Sequence, residues 1–228
     1  FFPQLVAGPI ERSVNLLPQM LRKREFKYEQ GIQGIKLIIW GMFKKVVIAD
    51  SLAPMVNDIF VNYQDFGGGT LWLGLVYFSF QIYCDFSGYS DIAVGTSKLF
   101  GIELMSNFNF PFFSRNISEF WRRWHISMTS WFTDYLYYPL KLKYRDSRYL
   151  TNLLVLVLYF FIIGFWHGDN WTYISFGLYH GLFFIPTVMY PKFYKLKTKQ
   201  ISFNKLFPSL KEIIQIGTTF VIVTIGWV

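Results

Sequence analysis

Three histidines are the residues of this chain best suited to proton chemistry: His125 in "FWRRWHIS", His167 in "GFWHGDN" and His180 in "GLYHG". They lie 42 and 13 residues apart. A neutral imidazole titrates near pH 6.5, so it can take a proton from an attacking hydroxyl at physiological pH. Burial favours the neutral ring and keeps it available as a base. The residues alone leave two readings open for His167, a general base or a ring hydrogen-bonded between helices. The tryptophan-rich surroundings of His125 favour a structural ring. His180, flanked by Gly177 and Gly181, is expected to pack between close helices.

Other chemistries lack a signature. There is no H-E-x-x-H and no Cys/His cluster to hold zinc. There is no G-x-S-x-G, and the single cysteine, Cys84, has no basic activator near it in sequence. An internal disulfide is also excluded. "GGGT" at Gly67–Thr70 lacks the lysine and the length of a phosphate loop and marks the start of a helix.

The elements that must position these rings are apolar. Charged residues make up 16% of the 228, against roughly 25% in an average soluble domain. The apolar residues arrive in five blocks, Gly31–Ala49, Thr70–Ile92, Leu150–Trp166, Trp171–Tyr190 and Glu212–Val228. A membrane helix needs about 20 residues, so the expected class is an all-α polytopic membrane protein. If every block spans, 19 of the 22 lysines and arginines fall on one side. The opposite loops, Asp50–Gly69 and His167–Asn170, hold aspartates and no lysine or arginine. That separation is the positive-inside pattern and puts the basic segments in the cytoplasm. The net charge of +8 is therefore read as orientation rather than as a nucleic-acid surface. Lys44 and Lys45 fit this scheme least well, because they sit late in the first block. Snorkelling or an interfacial first helix would accommodate them.

Between Lys98 and Arg148, "ISEFWRRWHISMTSWFTDYLYYPL" places Phe120, Trp124, Met128, Trp131 and Tyr135 at spacings of three and four. This predicts one continuous amphipathic helix at the membrane interface or in a shallow re-entrant position. The preceding "NFNFPFF", with Pro111, reads as nonhelical. Asp85 and Asp91, with Ser87 and Ser90, are polar groups inside the second block. They are expected to bind neighbouring helices or to line a cavity.

Taken together, "FFPQLVAGPIER", "GMFKKVVIAD", "QIYCDFSGYSDIAVG", "NFNFPFFSRNISEFWRRWHISMTSWFTDYLYYPL" and "FWHGDNWTYISFGLYHG" resemble, in this order, the membrane-bound O-acyltransferases. The nearest branch is that of the bacterial alginate and peptidoglycan O-acetyltransferases, with the D-alanyl transfer proteins of teichoic acid synthesis as cousins. The resemblance covers about Phe1–Gly181. It implies a helical bundle with re-entrant and horizontal helices that thin the membrane, in a bacterial inner membrane. Residues 1–228 would be a single membrane domain, an internal part of a longer protein with earlier and later helices. It also implies that His167 is the catalytic base and that His125 occupies the second active-site position, held by histidine in this branch and often by asparagine or aspartate in others. The implied donor is an acyl thioester, acetyl-coenzyme A as substrate with no resident cofactor or metal, whose phosphates would meet Arg122 and Arg123 on the cytoplasmic face, with Lys141 and Lys143 nearby. An extracytoplasmic partner acyltransferase and a polysaccharide acceptor are the implied partners, alongside membrane lipid. Two alternatives accompany this reading: D-alanyl transfer from a carrier protein by the same fold, and a non-enzymatic transporter or channel component built on intramembrane Asp and His.

Overall fold

Glycine spacing sets the first helix pair. A computed structural model describes residues 1–6, 8–144, 149–189 and 208–228. Arg145, Arg148, Tyr190 and the basic segment from Lys192 to Lys205 lie outside the described residues. Among the described residues every regular element is helical. Those residues divide into two compact units, one formed by Phe1–Asn109 with Ile126–Met128, the other by Phe110–His125 with Thr129–Val228.

In the first unit the helices are α1 (Ser13–Leu21), α2 (Tyr28–Met42), α3 (Asp50–Val61) and α4 (Gly68–Leu99). Gly34 and Gly41 on α2 face Gly95 and Gly88 on α4, so the pair runs antiparallel. A β-carbon on Gly41 would lie 2.6 Å from the Gly88 carbonyl oxygen, and one on Gly88 would lie 2.7 Å from that of Gly41. Small residues at such crossings let two backbones approach closely, the packing device of helices that lack a hydrophobic drive to associate. As "GGGT" suggests, α4 starts at Gly68.

After Met42 the chain widens into a π-helical stretch, Phe43–Ala49, and runs straight into α3. The expected Asp50–Gly69 loop is therefore helical over Asp50–Val61, with only the remainder connecting to α4. The wider turn aims Lys44 and Lys45 at α4. Buried Lys44 reaches Asp91 at 2.8 Å and the Ser87 hydroxyl at 2.9 Å. Lys45 pairs with Asp85 at 2.6 Å and Asp50 at 2.7 Å. The two lysines that fitted the charge pattern least well are thus the partners of the two aspartates of α4. A buried pair is costly to break, because removing one partner strands the other charge.

The second unit holds α5 (Ile117–Trp121), α6 (Ile126–Phe132, of which Thr129–Phe132 belong to this unit), α7 (Tyr138–Lys143), α8 (Tyr149–His167), α9 (Trp171–Met189) and α10 (Leu210–Ile225). As the sequence suggests, α8 ends at His167 and α9 begins at Trp171. Asn170 caps the new helix, accepting the Thr172 amide on its side chain at 3.1 Å. The two helices pack through Gly164 and Gly177, where added β-carbons would collide with the carbonyl oxygens of Tyr173 and Phe160.

Leu150–His167 is, among the described residues, the one stretch long and apolar enough to cross a membrane by length and composition. The other blocks are helical as well, but α2 and α10 have 15 and 16 residues. Polar, aromatic and glycine residues dilute α4 and α9.

The single helix expected to carry the 120–135 stripe is broken. α5 stops at Trp121, residues 122–125 turn, and α6 restarts at Ile126. The reason lies in Asn107. Its carbonyl accepts the Ile126 amide at 2.9 Å and its side chain accepts the Ser127 amide at 3.2 Å, so both amides point away from any preceding helical turn. Phe120, Trp124 and Met128 are buried, whereas Trp131 and Tyr135 are exposed. "NFNFPFF" is nonhelical apart from one 3-10 turn at Pro111–Phe113.

The Gly41–Gly88 crossing makes a test of packing. Gly88→Ala in the full-length protein should cost about 1–3 kcal/mol of stability, the usual overpacking penalty. Gly217→Ala, where a β-carbon meets nothing within 4 Å, should be neutral or stabilising. Thermal unfolding in detergent distinguishes the two; equal midpoints would remove the close crossing as a stability determinant.

Candidate active site

His125 is placed by a short helix that a buried carboxylate holds together. Asn116 caps α5, its side chain accepting the Glu119 amide at 2.9 Å. The Glu119 carboxylate in turn accepts from the Arg115 amide at 2.9 Å, the Arg115 guanidinium at 3.0 and 3.2 Å, and Arg123 at 2.6 Å. Two guanidinium groups thus meet the buried Glu119 carboxylate with charge-assisted hydrogen bonds. Arg115 also approaches Glu212 of α10 at 3.5 Å.

This network delivers Trp121 and, after the turn, His125. His125 has φ +44° and ψ +53°, the left-handed region that side chains seldom occupy, although histidine, asparagine and aspartate do so more readily than most. Its carbonyl accepts the Thr129 amide at 3.0 Å, the first bond of the following turn. The ring is buried.

His167 ends α8 and is exposed. Its ring stacks at 6.4 Å on Tyr173 and meets the edge of Phe176 at 5.6 Å. The ring thus stands at the carbonyl end of its helix. The Trp166 indole lies between the two candidates, 6.2 Å from the His125 ring and 5.0 Å from that of His167, with Phe132 also against it at 6.1 Å. Residues 42 apart in sequence are thus gathered around one indole.

The tetrad of expected residues divides here. Arg122 lines a cavity of about 240 Å³ with Trp121, Thr129, Thr133, Tyr159 and Phe160. It donates to the Ser118 hydroxyl at 3.2 Å. Tyr159 closes one wall, its hydroxyl bonding the Thr129 carbonyl at 3.3 Å and lying 3.2 Å from the Thr133 hydroxyl. Neither histidine lines the cavity, and Arg123 is engaged by Glu119 instead. His180 is fully buried against Phe120, Trp121, Phe176 and Tyr179, as a packing residue should be. Among the described residues neither of its ring nitrogens has a hydrogen-bond partner. No three of the described His, Cys, Asp and Glu residues converge as a metal site.

Sequence reasoning missed Glu119 and Asn116. The signals are present: an asparagine three residues before a glutamate is a capping pattern, and Arg115, Glu119 and Arg123 stand at successive spacings of four.

A family profile described as membrane-bound O-acyltransferase matches residues 1–221. The chain is 43% identical over 182 residues to the "Probable alginate O-acetylase AlgI" of Azotobacter vinelandii, covering 79% of this chain and 35% of that protein. It is 36% identical over 233 residues to the "Peptidoglycan O-acetyltransferase" of Helicobacter pylori, covering 100% of this chain and 42% of that protein. It is 33% identical over 194 residues to the "Teichoic acid D-alanyltransferase" of Streptococcus thermophilus, covering 80% of this chain and 46% of that protein. The chain therefore spans less than half the length of each of these curated relatives.

Proposed function

The chain belongs to the membrane-bound O-acyltransferase family, and from that premise we propose that it is the catalytic part of a multi-pass enzyme of the bacterial cytoplasmic membrane. The enzyme takes acetyl from cytoplasmic acetyl-coenzyme A and passes it outward for O-acetylation of a polysaccharide, by way of an extracytoplasmic partner acyltransferase. The observation that carries this reading is the meeting of His125 and His167 at Trp166.

The geometry supports a re-entrant path. At 1.5 Å per residue, Trp166 stands about 24 Å along α8 from Leu150. Charge separation puts Leu150 near the cytoplasm and Trp166 near the outer side. His125 comes from the basic, cytoplasmic stretch and nevertheless reaches Trp166. Further along, Thr133 and Tyr137 lie against Tyr159, two turns back down the same helix. The segment around residues 117–137 therefore climbs into the depth of the membrane and returns, which brings a donor from one face near an acceptor from the other.

The chemistry follows from the roles. The acceptor hydroxyl attacks the thioester carbonyl carbon while His167 takes its proton. The carbon–sulfur bond then breaks, and the departing thiolate recovers that proton from the imidazolium, leaving an ester and a free thiol. His125 orients the acceptor or donates to the oxygen on which charge develops. Arg122, at the cavity with apolar walls, suits the phosphates of a donor whose slender arm lies inside; Arg123, already bound to Glu119, acts mainly by shaping the turn.

The relatives named as teichoic acid D-alanyltransferases favour a second donor for the same site, D-alanine carried as a thioester on a carrier protein. Supplying each donor in turn decides between them. A transporter would move its substrate unchanged and release no thiol.

His167→Ala in membranes of the full-length protein should abolish acyl transfer, by at least about a hundredfold for loss of a general base, with expression near normal. Wild-type turnover in that variant, read as thiol release, would sink the assignment. Arg122→Gln should raise the KM for coenzyme-bound donor with kcat little changed; an unchanged KM would remove Arg122 from the donor site.

A further inference from the structure

One cleft in the first unit takes no part in the chemistry above. It has a volume of about 490 Å³ and lies where α1, α2 and the segment around Glu103 meet. Arg22, Lys23, Arg24 and Lys27 all line it, and among the described residues none of their four cationic side chains has a hydrogen-bond or ion-pair partner. Of the acids beside them, Glu103 is already taken by Lys98 at 3.0 Å and by the Gln30 side chain at 2.9 Å. Only Glu25 and Glu29 remain to offset four cations, so the cleft keeps a positive excess.

α1 has two opposed faces. Leu16 packs on the cluster of Val94, Ile102 and Leu104, and the Gln19 carboxamide exchanges two hydrogen bonds with the Glu103 backbone, at 2.8 and 3.0 Å. The opposite face carries Val14, Leu17 and Leu21, at spacings of three and four, with Leu21 86% exposed. Phe26 follows at 75% exposed, next to Lys27. A short helix pinned by one face, with apolar side chains on the other and a basic run at its end, is the pattern of a segment lying in the headgroup layer.

We propose that this cleft binds the phosphate headgroup of an anionic phospholipid of the cytoplasmic leaflet, while Val14, Leu17, Leu21 and Phe26 enter the adjoining acyl layer. The positive excess selects against zwitterionic lipids, and the exposed apolar side chains on the same segment favour a lipid over a soluble phosphate. Basic residues in this part of the chain belong to the side that charge separation assigns to the cytoplasm, where anionic lipids attract them. The proposal requires that the protein be membrane-bound and does not depend on which acyl donor it uses.

The test is lipid retention by the full-length protein purified into mixed phosphatidylcholine–phosphatidylglycerol nanodiscs, read by native mass spectrometry. Phosphatidylglycerol should be enriched among the retained lipids, and Arg24→Gln or Lys23→Gln should each reduce the enrichment about fivefold, as expected for one charge near an anionic leaflet. The charge-conserving Arg24→Lys should keep it. Comparing the three variants, each at wild-type unfolding temperature, separates lost binding from lost fold. Equal retention of the two lipids by the wild type, or unchanged enrichment in both glutamine variants, would overturn the proposal. Displacement of the retained lipid by coenzyme A alone would also overturn it, by making the cleft a nucleotide-phosphate site.

Discussion

A single buried carboxylate does more to define the candidate site than either histidine. α5 has five residues, far too few to persist as an isolated helix. Glu119 makes it persist by accepting from Arg115 and Arg123 on the two sides of the helix while its own amide is capped by Asn116. An ionised carboxylate is costly to desolvate, and the arrangement is stable only because its oxygens are met by charged donors. The consequence reaches along the chain. With the Arg115 and Arg123 ends fixed, the turn between them and Ile126 has little freedom, and the His125 ring is directed at Trp166 instead of along a continuous helix.

The helix pairs are governed by a different constraint, the absence of side chains. Gly34, Gly41, Gly88 and Gly95 bring two backbones together in the first unit, and Gly164 and Gly177 do so in the second. In the first unit the close approach is coupled to charge: with the backbones this near, Lys44 and Lys45 can span to Asp91 and Asp85. Neither device stands alone, since a wider crossing would leave the lysines short of their partners. The aspartates of α4 are thereby accounted for as bundle-forming groups.

Much of this was legible in the sequence. The apolar blocks, the start of α4 at the triple glycine and the break at "HGDN" follow from local residue type and are where composition put them. Recognition of the family rested on ordered motifs around His125 and His167, and it gathered residues that no periodicity could bring together. What the sequence concealed was non-local. A perfect stripe of aromatics from Phe120 to Tyr135 is evidence for one helix only while nothing competes for its amides, and Asn107, twenty residues from Ser127, competes for two of them. Likewise the pairing of Lys44 with Asp91 needs both the glycine crossing and the π-helical widening at Phe43–Ala49, and neither has a signature at the lysine itself. Asp50–Val61 reads as a connecting loop by charge, yet it forms a helix because the preceding turn feeds directly into it.

The backbone at His125 also limits what chemistry this position can ever hold. A residue at φ +44° is filtered by sterics before it is filtered by reactivity. Branched and bulky side chains are disfavoured there, and the residues most at ease are glycine, asparagine, aspartate and histidine. Of these, histidine alone is a base in its neutral form, and asparagine can only donate or accept a fixed hydrogen bond. Divergence at this site is therefore channelled into a few discrete chemical options, and any change of role must pass among residues that share a tolerance for one unusual turn of the main chain.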